Sequence, residues 1–370
     1  MDSPSRVLPL LVAFALGACS GDDSVEAPSD SVDVAAISAS DDTTAPDDTT
    51  APDDTTAPDD TTAPDDTTAP DDTDADSLDR SLASDDGATP ALSALATHVV
   101  TVEQATGRVM EFDFNVTDWS KDEAIVRTWT PPPSGFSNLS DVKYSKDGKR
   151  LLVAASGGAI AVVRVSDQKI LLQASPGGNT HAIDELPDGS VVSASSTGGF
   201  LKLYSRRGTL KQTVAFEDAH GVYWDRKRHL LYADGASVVR AFRYCNGKLK
   251  DAGSWSLPNG QSGAHDLFPI AHTNELYVSN ISGIFQFDRV THVFGPYTSG
   301  PNRSSIKSVG KNPRSNTVCM MKATNAPGPV PRSWSSDTII FDQPGSDPAT
   351  VTRVRRGAQF YKARWASPTP

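Results

Sequence analysis

The chain has 370 residues, 46 acidic against 34 basic side chains, a net charge of −12 and a pI of about 5.0. That length has room for two domains, but the composition is split along the chain rather than uniform. No zincin histidine motif, G-x-S-x-G or P-loop pattern is present, so no zincin, α/β-hydrolase or nucleotide-phosphate reading is supported, and the three cysteines form no C-x-x-C pair.

The N-terminus reads MDSPSRVLPLLVAFALGACS: Arg6, then an apolar run from Val7 to Leu16, then small residues before Cys19. Ten apolar residues are too few to cross a hydrocarbon layer of about 30 Å, so residues 1–18 read as a secretory signal. The small residues before Cys19 resemble the bacterial lipobox, which implies lipidation of Cys19, export, and anchoring at the outer membrane or cell surface. Several acyl chains hold durably where one does not, because each buried methylene adds about 0.8 kcal/mol.

Residues 19–95 are expected to form a disordered tether. DDTTAP occurs five times in succession from Asp41 to Pro70, with no aromatic side chain to seed a core. Repelling carboxylates and stiff prolines keep such a segment extended. Residues 20–95 carry 22 acids and only Arg80 as a base, so the remainder of the chain is the opposite in sign. Residues 96–370 hold 32 basic and 23 acidic side chains, a net of +9. A basic exported domain suits an anionic small molecule or glycan, with the membrane reached only through the lipid. Nucleic acid is not an expected partner, and the chain is expected to act as a monomer.

From residue 96 onward a single pattern recurs: polar lead, apolar strand, turn, second strand, third strand. It opens at LSDVKYSKDGKRLLVAAS, NTHAIDELPDGSVVSASS, DAHGVYWDRKRHLLYADG, GAHDLFPIAHTNELYVSN, SIKSVGKNPRSNTVCMMK and FYKARW. The lead residues Asp141, His181, His220, His265, Lys307 and Lys362 are 40, 39, 45, 42 and 55 residues apart. Asp147-Gly148 and Asp188-Gly189 supply hairpin turns. Units of this length without helices predict an all-β, six-bladed β-propeller over 96–370. The last unit has only one strand, and HVVTVEQATGRVMEFDFNV (98–116) supplies the strands it lacks, so the two ends are expected to close one blade.

This blade grammar resembles the NHL-repeat and gluconolactonase/regucalcin-like propellers, chiefly in HGVYWDRKRHLLYADG and HDLFPIAHTNELYVSN. The gluconolactonases bind a divalent metal through a Glu, an Asn and an Asp at blade ends. The resemblance implies a partial match in Glu103, Asn280 and Asp234, which fall at the ends of second strands.

In a propeller the first strand of every blade lines the channel, so the six lead residues are expected as one ring at its mouth. Glu103, Ser195, Asp234, Asn280 and Lys322 are expected just outside it. Three imidazoles, His181, His220 and His265, suit one divalent cation (Mn, Zn or Ca) with open positions for substrate. The geometry is similar to that of oligogalacturonate lyases, which are propellers with channel-mouth histidines. Asp141, Lys307, Lys362, Glu103, Asp234 and Asn280 are the expected ligand contacts, the lysines favouring an anion. Three functions remain open: binding an anionic ligand, a metal-dependent lyase or hydrolase using the same ring, and an envelope scaffold. A repeated histidine also has a purely structural use, bonding a neighbouring blade. Cys245 and Cys319 are expected as buried thiols, with a bridge between them the alternative.

Overall fold

The computed structural model describes residues 97–324 and 332–368; the signal segment, Cys19 and the acidic tether lie outside the described residues. The described chain folds into six four-stranded antiparallel sheets, with two single-turn 3-10 helices and no α-helix among them. It is an all-β, six-bladed propeller.

Five blades are continuous in sequence. Each starts with its innermost strand: β4 (Leu139–Tyr144), β8 (Thr180–Glu185), β12 (Ala219–Asp225), β16 (Ala264–Pro269) and β20 (Ile306–Lys311). The remaining blade is composite. Its inner strand is β24 (Phe360–Trp365), and β1 (His98–Glu103), β2 (Arg108–Asp113) and β3 (Ile125–Trp129) complete it. Val99 pairs with Trp365 and Thr101 with Ala363, so the chain ends are joined by a backbone ladder and leave no open sheet edge at the closure. An aromatic cluster packs this seam: Phe112 stacks on Trp119 at 4.5 Å, and Phe360 and Phe341 meet the same indole edge-on.

Burial grades outward along each blade. The inner strands β4, β12, β16 and β24 are buried at every residue, whereas the outer strand β11 (Leu210–Ala215) is half exposed. Strands covered on both faces read as near-continuous apolar runs, so the few polar residues inside them stand out. The channel is built from those exceptions.

The entry to the inner strands is also repeated. Asn138, Asn179, Asp218, Gly263 and Ser305 each precede an inner strand and each has positive φ, between 48° and 70°. Asn, Asp and Gly tolerate this left-handed turn, which swings the chain from the rim into the channel. Immediately inside, every inner strand has a register shift against its neighbour. Such a bulge re-aims the side chains beside it.

Candidate functional site at the channel mouth

The bulges define which residues are equivalent around the channel. Thr180 pairs with Ser195 and Ala182 with Ala194, so His181 is the extra residue. The same reading gives His220, His265 and Lys307 in their blades. In β4, Leu139 and Asp141 are the paired residues, so the extra one is Ser140. In β24, Phe360 pairs with Glu103 and Ala363 with Thr101, which sets Tyr361 at the position of the histidines. The outermost ring is therefore Ser140, His181, His220, His265, Lys307 and Tyr361. Asp141 and Lys362 stand one residue further in, level with Ala182, Gly221, Asp266 and Ser308. The expected six-residue ring is thus corrected at two positions, because Asp141 and Lys362 stand one residue further along their strands than the histidines do.

Contacts around the outer ring bear out this alignment. The His181 and His220 rings lie 4.4 Å apart, and those of His220 and His265 lie 5.0 Å apart. Tyr361 OH meets His181 Nδ1 at 3.1 Å, and Lys307 Nζ lies 3.0 Å from His265 Nε2. His220 Nδ1 is held 2.9 Å from the Asp218 carbonyl, which fixes that nitrogen as the donor. All three imidazoles are only 6–7% exposed. Burial pushes His220 down to about 3, against the Asp218 bond, with Lys362 and Lys307 adding to the shift. His181 and His265 are also held well below the usual histidine range, first by burial and then by neighbouring imidazoles and lysines. At neutral pH the ring therefore presents three neutral imidazoles, a phenol, a hydroxyl and an ammonium. None of its six residues is an acid.

The layer beneath is a knot of paired charges. Arg364, 1% exposed, reaches Asp266 through two nitrogens at 2.7 and 2.9 Å and Asp141 at 3.0 Å. Lys143 lies 3.3 Å from Asp141 and donates to the Val222 carbonyl across the channel. Lys362 crosses as well, from the composite blade to the carbonyls of His181 and His220 at 3.2 and 3.4 Å, and lies 3.3 Å from Asp266. Burial alone would raise Asp266, but Arg364 and Lys362 hold it below the ordinary carboxylate range. Asp141 is depressed in the same way by Lys143, Arg364 and Lys362. Arg364, Asp266, Lys143 and Tyr361 were not among the expected site residues. Asp266 directly follows His265 and Arg364 lies two residues after Lys362, so the signal was charge inside strands that are otherwise apolar.

The outer positions mostly anchor loops. Glu103 takes the backbone N–H groups of Ala105, Thr106 and Gln359. Asn280 accepts from Ser282 and Gly283 and donates to Gln261. Ser195 bonds Thr180, and Lys322 bonds the Ser304 carbonyl. Asp234 is different. It is fully buried, and neither carboxylate oxygen has a hydrogen-bond partner of good geometry. Burial pushes it up to about 7, the charge of Asp266 adding and Lys362 opposing. Gly221 makes room for it, since a Cβ there would come within 2.4 Å of Asp234 Oδ1.

The residues present do not fit a resident divalent cation. Among the described residues no three His, Cys, Asp or Glu side chains converge as a ligand set. Lys307 stands at the Nε2 of His265, one of the two nitrogens through which that imidazole could hold a metal, and like charges repel strongly at such range. Glu103 and Asn280 are committed to their own loops. Cys319 is a buried free thiol, so it forms no bridge with Cys245.

Fold and channel together define a closed six-bladed propeller with a plugged centre and a basic, imidazole-lined mouth. Residues 79–368 match the model of a family of unknown function, DUF6528, and the chain belongs to that family. Among solved structures the chain is similar to dihydro-heme d1 dehydrogenase NirN in complex with DHE, at TM-score 0.43 and 15% identity. The match covers 72% of this chain and 55% of that one, so this chain spans about half the length of that protein. No curated protein matches the chain.

Proposed function

We propose that the channel mouth binds an anionic ligand, an acidic glycan or a small organic acid, in a protein exported and anchored through Cys19. The observation that carries this reading is the composition of the outer ring. Lys307, Tyr361 and three imidazoles kept neutral by burial share one rim with no carboxylate among them. A carboxylate entering there meets an ammonium and neutral donors, and charge-assisted hydrogen bonds are about twice as strong as neutral ones. Lys362 spans the channel one layer below.

Binding is favoured over a metal-dependent lyase or hydrolase because Lys307 occupies the place beside His265 that a catalytic metal would take. The test is titration calorimetry of the full chain with oligogalacturonate and with a neutral oligosaccharide of equal length. The acidic oligomer alone should bind, and Lys307→Gln should weaken it about tenfold or more. Equal binding of both sugars, or an unaffected Lys307→Gln variant, overturns the reading. Incorporation of labelled palmitate, lost in Cys19→Ala, checks the anchor.

A further inference from the structure

The two ends of the channel are separate environments. Asp141, Asp266, Lys362 and Arg364 are each at most 1% exposed, so the charge knot excludes solvent from the middle. Any site on the face opposite the mouth is therefore chemically independent of the ring.

On that opposite face β12 ends at Asp225 and β16 at Pro269, and a cleft of about 230 Å³ opens between the turns that follow. Arg226, Lys227 and Arg228 line it from one blade, Asn274 and Arg289 from the next, with Asp225 as the one acid. That acid is already saturated. Its Oδ2 receives Arg289 at 2.6 Å and Arg228 at 2.8 Å, and its Oδ1 receives the backbone N–H groups of Lys227 and Arg228. Arg289 is likewise spent, donating its remaining nitrogens to the Asn274 and Thr273 carbonyls.

What is left over is positive. Four cationic side chains face one carboxylate, and the side chains of Arg226 and Lys227 are exposed and make no hydrogen bond or ion pair among the described residues. Lys146 adds to the crowd from a third blade, 4.6 Å above the Tyr223 ring that lines the same cleft. Arg228 is meanwhile held in place at both ends, by Asp225 and by the Asn274 side chain at 2.8 Å. Fixed guanidinium groups beside the exposed Arg226 and Lys227 side chains form a pre-organised receptor for oxygen-rich anions.

We propose that this cleft is a second anion site, built for a compact, multiply charged oxyanion such as a phosphate monoester or a tricarboxylate. The small volume favours a ligand of few heavy atoms, and the excess of three positive charges favours one bearing more than a single negative charge. The anion joins two blades, bridging Arg226 and Lys227 to the Asn274 side. It displaces no existing ion pair.

Calorimetry with the full chain decides it, using inorganic phosphate, a sugar phosphate and citrate as probes. At least one should bind, more weakly as salt rises, and the tighter of the phosphate and citrate arms names the source. The double variant Arg226→Gln/Lys227→Gln should lose about tenfold in affinity or more. Arg206→Gln/Arg207→Gln on a neighbouring blade should change it less than about twofold. No binding of any probe at about 10 mM overturns the proposal. So does an unaffected Arg226/Lys227 variant or an equal loss in the Arg206/Arg207 variant (diffuse charge only). The mouth proposal stands or falls separately, on oligogalacturonate.

Discussion

Two adjacent layers of the same six strands treat charge in opposite ways. In the inner layer every carboxylate is matched: Asp141 and Asp266 are clasped by Arg364, with Lys143 and Lys362 close by. One residue outward the ring has no acid at all, and burial keeps its histidines neutral. The inner layer has the chemistry of a bolt and the outer that of a receptor. A buried pair is satisfied by opposite charge, whereas a rim without acids sets no like charge against an incoming anion. The difference predicts where substitutions cost stability and where they cost binding.

The largest effect is expected in the bolt. Arg364→Met would leave Asp141 and Asp266 facing each other without their shared guanidinium. Removing one partner of a buried charge group costs about 3–5 kcal/mol. Urea unfolding should show that loss, and Arg364→Lys should restore only part of it, because an ammonium lacks the planar fork that spans both acids. A loss below about 1 kcal/mol would mean that the layer is not the bolt described.

Acid should attack the other layer. His220 titrates at about 3 in the folded chain and at about 6.5 when unfolded. Between those values the unfolded state binds the extra proton, so the stability from a neutral buried His220 is whole above pH 6.5 and drains away as pH falls toward 3. His181 and His265 shift in the same direction. For His220 alone the loss between pH 6.5 and 4 is on the order of 3 kcal/mol. His220→Gln should flatten that acid limb in a series of urea titrations. Acid limbs that are identical in wild type and His220→Gln from pH 7 to 4 would contradict the buried, neutral ring.

Much of this was legible in the sequence, for definite physical reasons. Blade count and closure follow from strand periodicity and turn chemistry: Gly148 and Gly189 take φ of 73° and 78°, as their Asp-Gly turns require. His181, His220, His265 and Lys307 were legible as one ring because each sits the same distance inside its strand. Tyr361 and Ser140 hold the same second place in β24 and β4, but the charged Lys362 and Asp141 one residue further on draw the lead-residue alignment off by one. Arg364 was hidden differently. A cluster of arginines and aromatics near the C-terminus gives no sign of which arginine turns inward, and only closure of the composite blade carries this one into the channel. Asp234 was legible as a strand end, but not as an acid without a partner, since that depends on Gly221 opening space in the next strand.

Asp234 sharpens the comparison, because it is an acid near the bolt that the bolt does not serve. Its carboxyl titrates at about 7 in the folded chain, pushed up first by burial and then by Asp266, against about 3.9 unfolded. Here the folded state holds the proton more tightly. Asp234 therefore costs no stability below about pH 4, where both states are protonated, and an increasing amount as pH rises through 7. Asp234→Asn keeps the shape and removes the charge, so it should stabilise the chain at pH 8 by about 1–2 kcal/mol and change little at pH 4. Urea midpoints of the two proteins at both pH values measure it. Destabilisation by Asn at pH 8 would show that the carboxylate is ionised and held by a partner, which would extend the inner layer of paired charges to a third acid.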